Sequence, residues 1–371
     1  MAVTVAFVRE TAPGERRAAI SPETCRKLGA AGCRVLLEPG AGTPAGFPDS
    51  DYAGAEFAPR DQVLAAADVL VCVQPPPNAD FSHMRPGAQV VGLLAAHADA
   101  QRVPALVAAG LTAFSLERLP RTTRAQAMDV LSSQAGMAGY KAVLIAAQLA
   151  PRFFPMLTTA AGTIRPSRVL IVGAGVAGLQ AIATARRLGA QVEGFDVRPE
   201  TREQIESLGG RFLDLGVSAA GEGGYARPLT DDERAEQQRR LGEHLRKIDV
   251  VVCTAAVPGR PAPRIITAAL VDGMAPGSVI VDLAAETGGN CESTQPGTTV
   301  EAGGVAVAGP VGLASSGALH ASEMYARNVL NFLQLMLRDG AIQLDWGDDL
   351  LAQTAWPGPP APTATTTEAG A

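Results

Sequence analysis

The fold of this chain is decided by the stretch Ser167-Arg168-Val169-Leu170-Ile171-Val172-Gly173-Ala174-Gly175-Val176-Ala177-Gly178. A short apolar run enters a Gly-x-Gly-x-x-Gly turn, and the Ala/Leu-rich pattern that follows predicts a helix. Gly173 allows a bend that other residues resist, Gly175 lets a pyrophosphate approach the main chain, and Gly178 lets helix and strand pack closely. Phosphates then lie at a helix N-terminus, where free N–H groups favour negative charge. The stretch therefore predicts a dinucleotide site.

A second strand pattern, Gln191 to Phe195, ends in Asp196, about twenty residues after the glycine turn as the fingerprint requires. A carboxylate at this position accepts hydrogen bonds from the adenosine ribose and repels a 2′-phosphate, which favours NAD(H) over NADP(H). Arg198 acts against this preference, because a nearby arginine can accommodate a 2′-phosphate. On the residues alone, a glycine-rich turn with only a structural role stays open as the alternative.

The composition is typical of a globular chain with two domains, since 47% of its 371 residues are hydrophobic and 18% are charged. With 40 Gly, 27 Pro and only 4% aromatic residues, its cores are expected to consist of Ala, Val and Leu, as in parallel strands covered by helices. A net charge of −6 without a basic run argues against a nucleic-acid binder. The five cysteines show no disulfide framework and no metal-ligand spacing, so we expect no metal site and a reducing compartment.

Strand and helix signals alternate along the chain, which predicts an α/β fold of two Rossmann-like, doubly wound parallel-sheet domains separated by a cleft. We expect an N-terminal domain over 1–138, a nucleotide-binding domain over 139–325, and a C-terminal helix over 326–355 that returns to the first domain. The Pro/Ala/Thr/Gly-rich residues 356–371 are expected to be disordered. No signal peptide and no membrane-spanning run is recognised, so we expect a soluble chain.

The expected strands lie at 4–8, 33–37, 69–73, 89–94, 112–115, 191–195, 249–254, 278–282 and 305–308, and a further strand is expected in the apolar run that leads into Gly173. The expected helices include 22–31, 101–109, 132–149 and 322–337. These positions place the glycine turn between the first strand and the first helix of the second domain.

A second polar cluster, Arg121-Thr122-Thr123-Arg124-Ala125-Gln126-Ala127-Met128-Asp129-Val130-Leu131-Ser132-Ser133-Gln134, opens a predicted helix after the strand at 112–115. Polar residues this dense at a strand end are typical of a binding site. A solvated loop with Ser132 or Asp129 as a helix cap explains the same residue types, so both interpretations remain.

The segment from Arg121 to Tyr140 resembles the Arg-Gln-Asp loop of the NAD(H)-binding component of proton-translocating nicotinamide nucleotide transhydrogenases, within the alanine dehydrogenase/transhydrogenase family. The similarity covers about residues 3 to 355. Its other matching pieces, in chain order, are Arg9-Glu10, the stretch 15–22, Asp196-Val197-Arg198, the stretch 223–226, the stretch 257–263, Asp282-Leu283-Ala284 and the stretch 288–291.

The resemblance implies that hydride passes between NAD(H) held on this chain and NADP(H) held on a partner subunit, while membrane-spanning subunits couple the exchange to proton movement. It implies a homodimer, peripheral on the cytoplasmic face of the membrane, that binds no nucleic acid. Around the nicotinamide it places Arg121, Gln126, Asp129 and Ser132, with Tyr140 supporting the loop. The implied adenosine and pocket residues are Val176, Asp196, Val197, Arg198, Ala256, and a mobile loop with Gly224, Tyr225 and Gln237.

These residue types agree with the chemistry, because hydride transfer between two nicotinamides needs no acid or base and asks only for orientation and local charge. A related alternative is an NAD-dependent alanine-type dehydrogenase, which needs a Lys and a His for its substrate. Here the stretch 71–76 has no Lys, and the family histidine aligns with Ala95, two residues before His97. A non-catalytic NAD(H)-responsive binding module is the third possibility.

Two segments depart from the transhydrogenase pattern. Leu313-Ala314-Ser315-Ser316 stands where the family more often has a turn containing Arg. Arg227-Pro228 follows Tyr225 where an acidic or Lys-rich stretch is more usual, and the proline is expected to stiffen the loop.

Overall fold

A computed structural model of the chain describes residues 2–95, 99–219, 227, 229–256, 260–338 and 340–357. The chain divides into two compact units. The first unit is Met1–Leu131 with Ala318–Ala371, and the second unit is Ser132–Gly317. The sequence prediction placed these divisions near 138 and 325.

The strands, numbered in chain order, are β1 (Thr4–Phe7), β2 (Arg34–Leu37), β3 (Glu56–Phe57), β4 (Val69–Val71), β5 (Gln89–Gly92), β6 (Thr112–Ser115), β7 (Leu157–Thr159), β8 (Gly162–Ile164), β9 (Arg168–Val172), β10 (Gln191–Phe195), β11 (Arg211–Phe212), β12 (Val250–Cys253), β13 (Val279–Asp282), β14 (Thr299–Ala302), β15 (Val305–Ala308), β16 (Leu337–Arg338), β17 (Ala341–Ile342) and β18 (Ala355–Trp356). The α-helices are α1 (Pro22–Ala30), α2 (Arg60–Ala66), α3 (Arg102–Ala108), α4 (Val130–Leu149), α5 (Val176–Arg187), α6 (Thr201–Ser207), α7 (Asp231–Leu245), α8 (Ala268–Asp272), α9 (Leu313–Ser316), α10 (Ala318–Met336) and α11 (Asp349–Thr354).

The first unit contains a sheet in the order β18-β6-β5-β4-β1-β2-β3. Strands β1 to β6 are parallel to their neighbours, and only β18 pairs antiparallel, with β6. The strand order reverses between β4 and β1, and open α/β sheets bind ligands beyond the carboxyl ends of the strands at such a point.

The second unit contains a sheet in the order β11-β10-β9-β12-β13-β15-β14. Its strands are parallel except β14, which pairs antiparallel with β15. The order reverses between β9 and β12, so the glycine turn after β9 lies at the switch point. The predicted doubly wound parallel sheets are therefore confirmed in both units.

The central strands of each sheet are buried on both faces, because their residues are mainly apolar. In β9, Val169 and Ile171 pack into one core cluster, while Leu170 and Val172 pack into the cluster on the opposite face. In the first unit, Val5 and Ala6 divide in the same way between two clusters. Continuous apolar strands of this kind are typical of parallel sheets covered by helices.

The strands predicted at 112–115, 191–195 and 305–308 agree with the structure at both ends, and the bounds of the other predicted strands and helices differ by at most four residues. Where a single C-terminal helix was expected over 326–355, α10 ends at Met336 and α11 begins at Asp349. Trp356, assigned to the tail, pairs with Ala113 of β6. Residues 358–371 lie outside the described residues, in which no helix is long and apolar enough to cross a bilayer.

Candidate nucleotide-binding site

The glycine turn has the geometry that a dinucleotide requires. Gly173 has φ +96°, and a Cβ there would lie 2.8 Å from the Thr254 hydroxyl oxygen. A Cβ on Gly178 would overlap the carbonyl oxygen of Gly173, so the helix approaches the strand as closely as the chain allows. Gly175 has open space where a side chain would be, next to the first residue of α5. The turn therefore leaves room for a phosphate against exposed helix N–H groups.

The loop after β12 is tied to this turn by side chains that the sequence analysis did not single out. The Thr254 hydroxyl donates one bifurcated hydrogen bond, shared between the carbonyl oxygens of Gly173 (2.9 Å) and Val172 (3.2 Å). The fully buried Asn290 accepts from the Ala255 N–H (3.0 Å) and donates to the carbonyl oxygens of Ala255 (2.7 Å) and Pro263 (2.9 Å). Asn290 thus holds both ends of the segment that includes Ala256.

Asp196 ends β10 and is saturated with hydrogen bonds. One carboxylate oxygen accepts from the Arg198 N–H (2.9 Å) and Nε (2.9 Å), and the other accepts from the Ala174 N–H (2.8 Å) and Arg198 Nη2 (2.8 Å). A carboxylate offers about four lone-pair positions, so all are occupied. Asp196 therefore anchors the glycine turn to Arg198.

The other residues predicted to contact the nucleotide differ in their exposure and in the element that carries them. Val176 is exposed (46%) at the start of α5, Val197 is half-buried beside Asp196, and Ala256 is exposed after β12. The prediction that Gln237 belongs to a mobile loop is wrong, because Gln237 is buried within α7. The capping box of Thr230 and Glu233 begins this helix well before Gln237. Gly224 and Tyr225 lie outside the described residues.

The polar cluster after β6 forms a 3-10 helix over Thr123–Met128, which the Thr122 side chain caps by accepting from the Ala125 N–H. Arg121 and Gln126 are exposed and Asp129 is half-buried. The cluster is held to α10, because the carbonyl oxygen of Ala127 accepts hydrogen bonds from Asn328 (2.8 Å) and Asn331 (2.9 Å). Arg124 forms ion pairs with Asp348 and Asp349.

The helix expected from residue 132 begins at Val130, so the suggestion that Ser132 caps it is wrong. Ser132 lies inside the first turn of α4, and Asp129 directly precedes the helix, where capping side chains stand. Tyr140 is 41% exposed on the same helix. The first unit contains Arg121, Gln126 and Asp129, and the second unit contains Ser132 and Tyr140.

A buried polar cluster that sequence reasoning missed lies at the carboxyl ends of β1 and β4. Glu10 accepts hydrogen bonds from the N–H groups of Val73 (2.6 Å) and Gln74 (3.0 Å). Removal from water raises the pKa of Glu10 to about 7, and these N–H groups oppose the shift. Glu15 and Arg17 form an ion pair at 2.6 Å with both side chains nearly buried. The matching stretches at 9–10 and 15–22 were the available signal.

Three positions bear on the dehydrogenase alternative, namely Gln74, Ala95 and His97. The Gln74 side chain donates to Glu15 (3.1 Å), so an amide stands in the stretch that has no lysine. Ala95, aligned with the family histidine, has φ +48°, which is uncommon for a residue other than glycine. His97 lies outside the described residues.

The two departures from the family pattern have local roles. Leu313–Ser316 forms the short helix α9 after Gly312, whose φ is +59°. Arg227 forms an ion pair with Glu233 at 2.6 Å, at the N-terminus of α7. Pro228 lies outside the described residues.

Comparisons with known proteins agree with this architecture. Residues 6–138 match the family model "Alanine dehydrogenase/PNT, N-terminal domain", and residues 142–356 match "Alanine dehydrogenase/PNT, C-terminal domain". The chain is 45% identical to an NAD(P) transhydrogenase subunit alpha chain of Rhodospirillum rubrum over 341 residues, covering 89% of each protein. A crystal structure of transhydrogenase from Sinorhizobium meliloti is 43% identical with a TM-score of 0.87, covering 95% of this chain and 97% of that one. An L-alanine dehydrogenase structure is 26% identical with a TM-score of 0.78, covering 95% and 94%.

Proposed function

We propose a function for this chain, which belongs to the alanine dehydrogenase/PNT family: it binds NAD(H) in its second unit and exchanges hydride with NADP(H) held on a partner subunit. In this proposal, membrane-spanning subunits couple the exchange to proton translocation, and the chain lies on the cytoplasmic face of the membrane through them. The similarity to transhydrogenase α subunits over most of its length supports this function against the dehydrogenase alternative.

The observation that carries the proposal is the cradle formed by the glycine turn. Gly175 leaves open space at the N-terminus of α5. The carbonyl oxygen of Gly173 accepts a hydrogen bond from the Thr254 hydroxyl, which holds the turn in place. An NAD(H) pyrophosphate fits this space, because it accepts hydrogen bonds from N–H groups and is attracted by the helix dipole. The adenosine half would then lie toward Asp196, Val197 and Arg198, and Ala256 would line the pocket beyond β12.

Bound NAD(H) supplies the hydride, so the protein contributes the orientation of the nicotinamide ring and the electrostatic field around it. In our proposal Arg121, Gln126, Asp129 and Ser132 hold the nicotinamide and its ribose, and Tyr140 supports their loop. The anchoring of Ala127 by two asparagines of α10 favours this role, since a positioning loop has to be rigid. The hydride transfer requires no histidine as an acid or base, because no proton moves at the reacting carbons.

We also propose that the chain is a homodimer. The hairpin of β7 and β8 is exposed and carries apolar side chains on and beside it, at Phe153 (52% exposed), Met156 (65%) and Ile164 (44%). Exposed apolar groups in one region typically mark an interaction surface. Sedimentation of the Met156→Ser/Ile164→Ser variant tests this, since a dimer that persists unchanged excludes the hairpin as its contact.

The decisive experiment mixes the purified chain with an isolated NADP-binding transhydrogenase domain and follows NADH-dependent reduction of an acetylpyridine nucleotide analogue. Hydride exchange that requires both proteins supports the proposal. Substantial reduction of NAD by L-alanine with the chain alone would instead establish the dehydrogenase alternative, and nucleotide binding without either reaction would leave a binding module.

Variants in the loop then test its role. Gln126→Ala and Asp129→Ala should slow hydride transfer about a hundredfold while NADH affinity changes little, because a displacement near 1 Å is sufficient for such a loss. Thr123→Ala is the matched control, since Thr123 is exposed in the same 3-10 helix. Unchanged stopped-flow rates in both loop variants would return the cluster to its capping interpretation.

A further inference from the structure

A cavity of about 590 Å³ opens at the amino ends of β9, β10 and β11 in the second unit. Its charged lining consists of Arg168, Arg186, Glu193, Arg211, His244 and Lys247. Arg168 is the first residue of β9, whereas the glycine turn follows the last one, so the length of a five-residue strand, roughly 16 Å, separates the two. The cavity is therefore distinct from the nucleotide cradle, and its volume lies within the range of small-molecule sites, roughly 300–1,000 Å³.

The negative charge of this cavity is already neutralised. Glu193 accepts hydrogen bonds from both His244 and Arg211, and the contact with His244 is the main reason that the pKa of Glu193 is lowered. Among the described residues, no carboxylate pairs with the side chain of Arg168, Arg186 or Lys247. Three cations without an internal partner thus face the same space.

Helix dipoles and Glu193 balance only part of the positive charge that lines the cavity. Arg186 lies in the last turn of α5, and Lys247 follows the end of α7, where cations stabilise the helix dipole. Two helix C-termini contribute about one negative charge together, and Glu193 contributes one more. The three arginines and the lysine of the lining carry four permanent positive charges. An excess of about two positive charges therefore remains after the two helix dipoles and Glu193 are counted.

One of the arginines lies against the backbone beside the cavity. Gly209 has φ +77°, and a Cβ there would lie 3.3 Å from Nε of Arg186. A Cβ at this distance would push the guanidinium group by a few tenths of an ångström, whereas glycine lets it lie against the turn between α6 and β11. The arginine is thus packed at the wall of the cavity, although its residue is exposed.

We propose that this cavity is a second binding site, for a small phosphorylated ligand carrying about two negative charges. Guanidinium groups bind phosphate oxygens in a bidentate manner, and a lysine adds a point charge beside them. The volume exceeds that of a phosphate group, so it accommodates an organic part of sugar or nucleoside size. Neither the proposed hydride transfer nor the NAD(H) cradle uses these residues.

Calorimetry with inorganic pyrophosphate, in saturating NADH so that the glycine turn is occupied, tests the proposal. The variant Arg186→Gln/Lys247→Gln should weaken pyrophosphate binding about tenfold or more, since it removes two charge-assisted contacts. The matched control is Arg187→Gln/Arg246→Gln, which removes the same charge from adjacent exposed residues that do not line the cavity. We expect this control to retain the affinity of the unchanged chain within about twofold.

Equal weakening in both double variants would overturn the proposal, because it would reduce the effect to net charge. Absence of any binding heat at roughly millimolar pyrophosphate would overturn it as well. Binding of an acidic polypeptide, but not of pyrophosphate, would reassign the cavity to a protein partner and likewise contradict a small-molecule site. NADH affinity, measured in parallel, should be the same in all variants, so a failure here is separate from a failure of the proposed function.

Discussion

Replacing Asp196 or Arg198 with alanine should shift coenzyme selectivity in opposite directions. All four acceptor positions of the Asp196 carboxylate are occupied, two of them by the guanidinium of Arg198. A ribose hydroxyl of NADH must therefore displace this guanidinium, and a 2′-phosphate must attract it away. Hydrogen bonds to a charged group contribute roughly 1.5–3 kcal/mol, which corresponds to a factor of about ten to a hundred in affinity.

Arg198→Ala leaves an uncompensated carboxylate, so we expect NADPH binding to weaken by about that factor while NADH binding stays within a few fold. Asp196→Ala releases Arg198 toward a 2′-phosphate, so we expect weaker NADH and tighter NADPH binding. It also leaves the Ala174 N–H without its acceptor, which costs about 1–3 kcal/mol of stability. Thermal unfolding separates this loss from selectivity.

Calorimetric titration of NADH and NADPH at fixed ionic strength measures both affinities. Arg202→Ala is the control, because Arg202 forms an exposed ion pair with Asp214 in the same unit and removes the same charge. The reasoning is refuted if both variants move the NADH to NADPH ratio in the same direction, or if neither moves it more than the control does.

Three further changes have defined outcomes. Gly175→Ala should lower NADH affinity without lowering Tm, whereas Gly178→Ala should lower Tm. The reason is that a Cβ on Gly178 overlaps the backbone, while a Cβ on Gly175 does not. Equal losses of Tm in the two variants would contradict this. Asn290→Ala should reduce the free energy of unfolding in denaturant by roughly 2–4 kcal/mol, since three buried hydrogen bonds are lost, and a loss under about 0.5 kcal/mol would exclude the clamp. The pKa of Glu10 is raised to about 7, so its contribution to stability is present below the unfolded pKa and is lost as pH rises through 7. Compared with Glu10→Gln, the unchanged chain should lose up to about 3 kcal/mol between pH 4.5 and 8, and parallel pH curves would disprove the assignment.

The predictable parts of this fold are those whose signal is local. Residues 169–172 of β9 and all four residues of β12 are apolar because both faces of the sheet are covered there, and such runs are visible in the sequence. The glycine turn is equally recognisable, because its Gly-x-Gly-x-x-Gly spacing is contained within six residues. Fold and turn therefore follow from short windows of residues.

The parts that could not be predicted depend on contacts between distant segments. Asn290 bonds to Ala255 and Pro263, and Asp196 accepts a hydrogen bond from the N–H of Ala174, which is 22 residues away in the chain. Gln237 was misplaced for a different reason, because the charged helix α7 was assigned to a loop. The capping box of Thr230 and Glu233 was the signal that would have corrected this.

The two units share a topology but differ in what stands at the switch point, and this difference favours the assignment of the nucleotide to the second unit. At the carboxyl ends of β1 and β4, the protein's own side chains occupy the switch point. Glu10 accepts hydrogen bonds from two backbone N–H groups there, and Glu15 forms an ion pair with Arg17. An arginine already matched by a buried carboxylate has little positive field left for a substrate anion. Beyond β9, by contrast, the space at Gly175 is open and the surrounding bonds only brace the turn. The same arrangement of strands thus carries an internally neutralised polar cluster in one unit and a cradle for an anion in the other, and a dinucleotide needs the cradle.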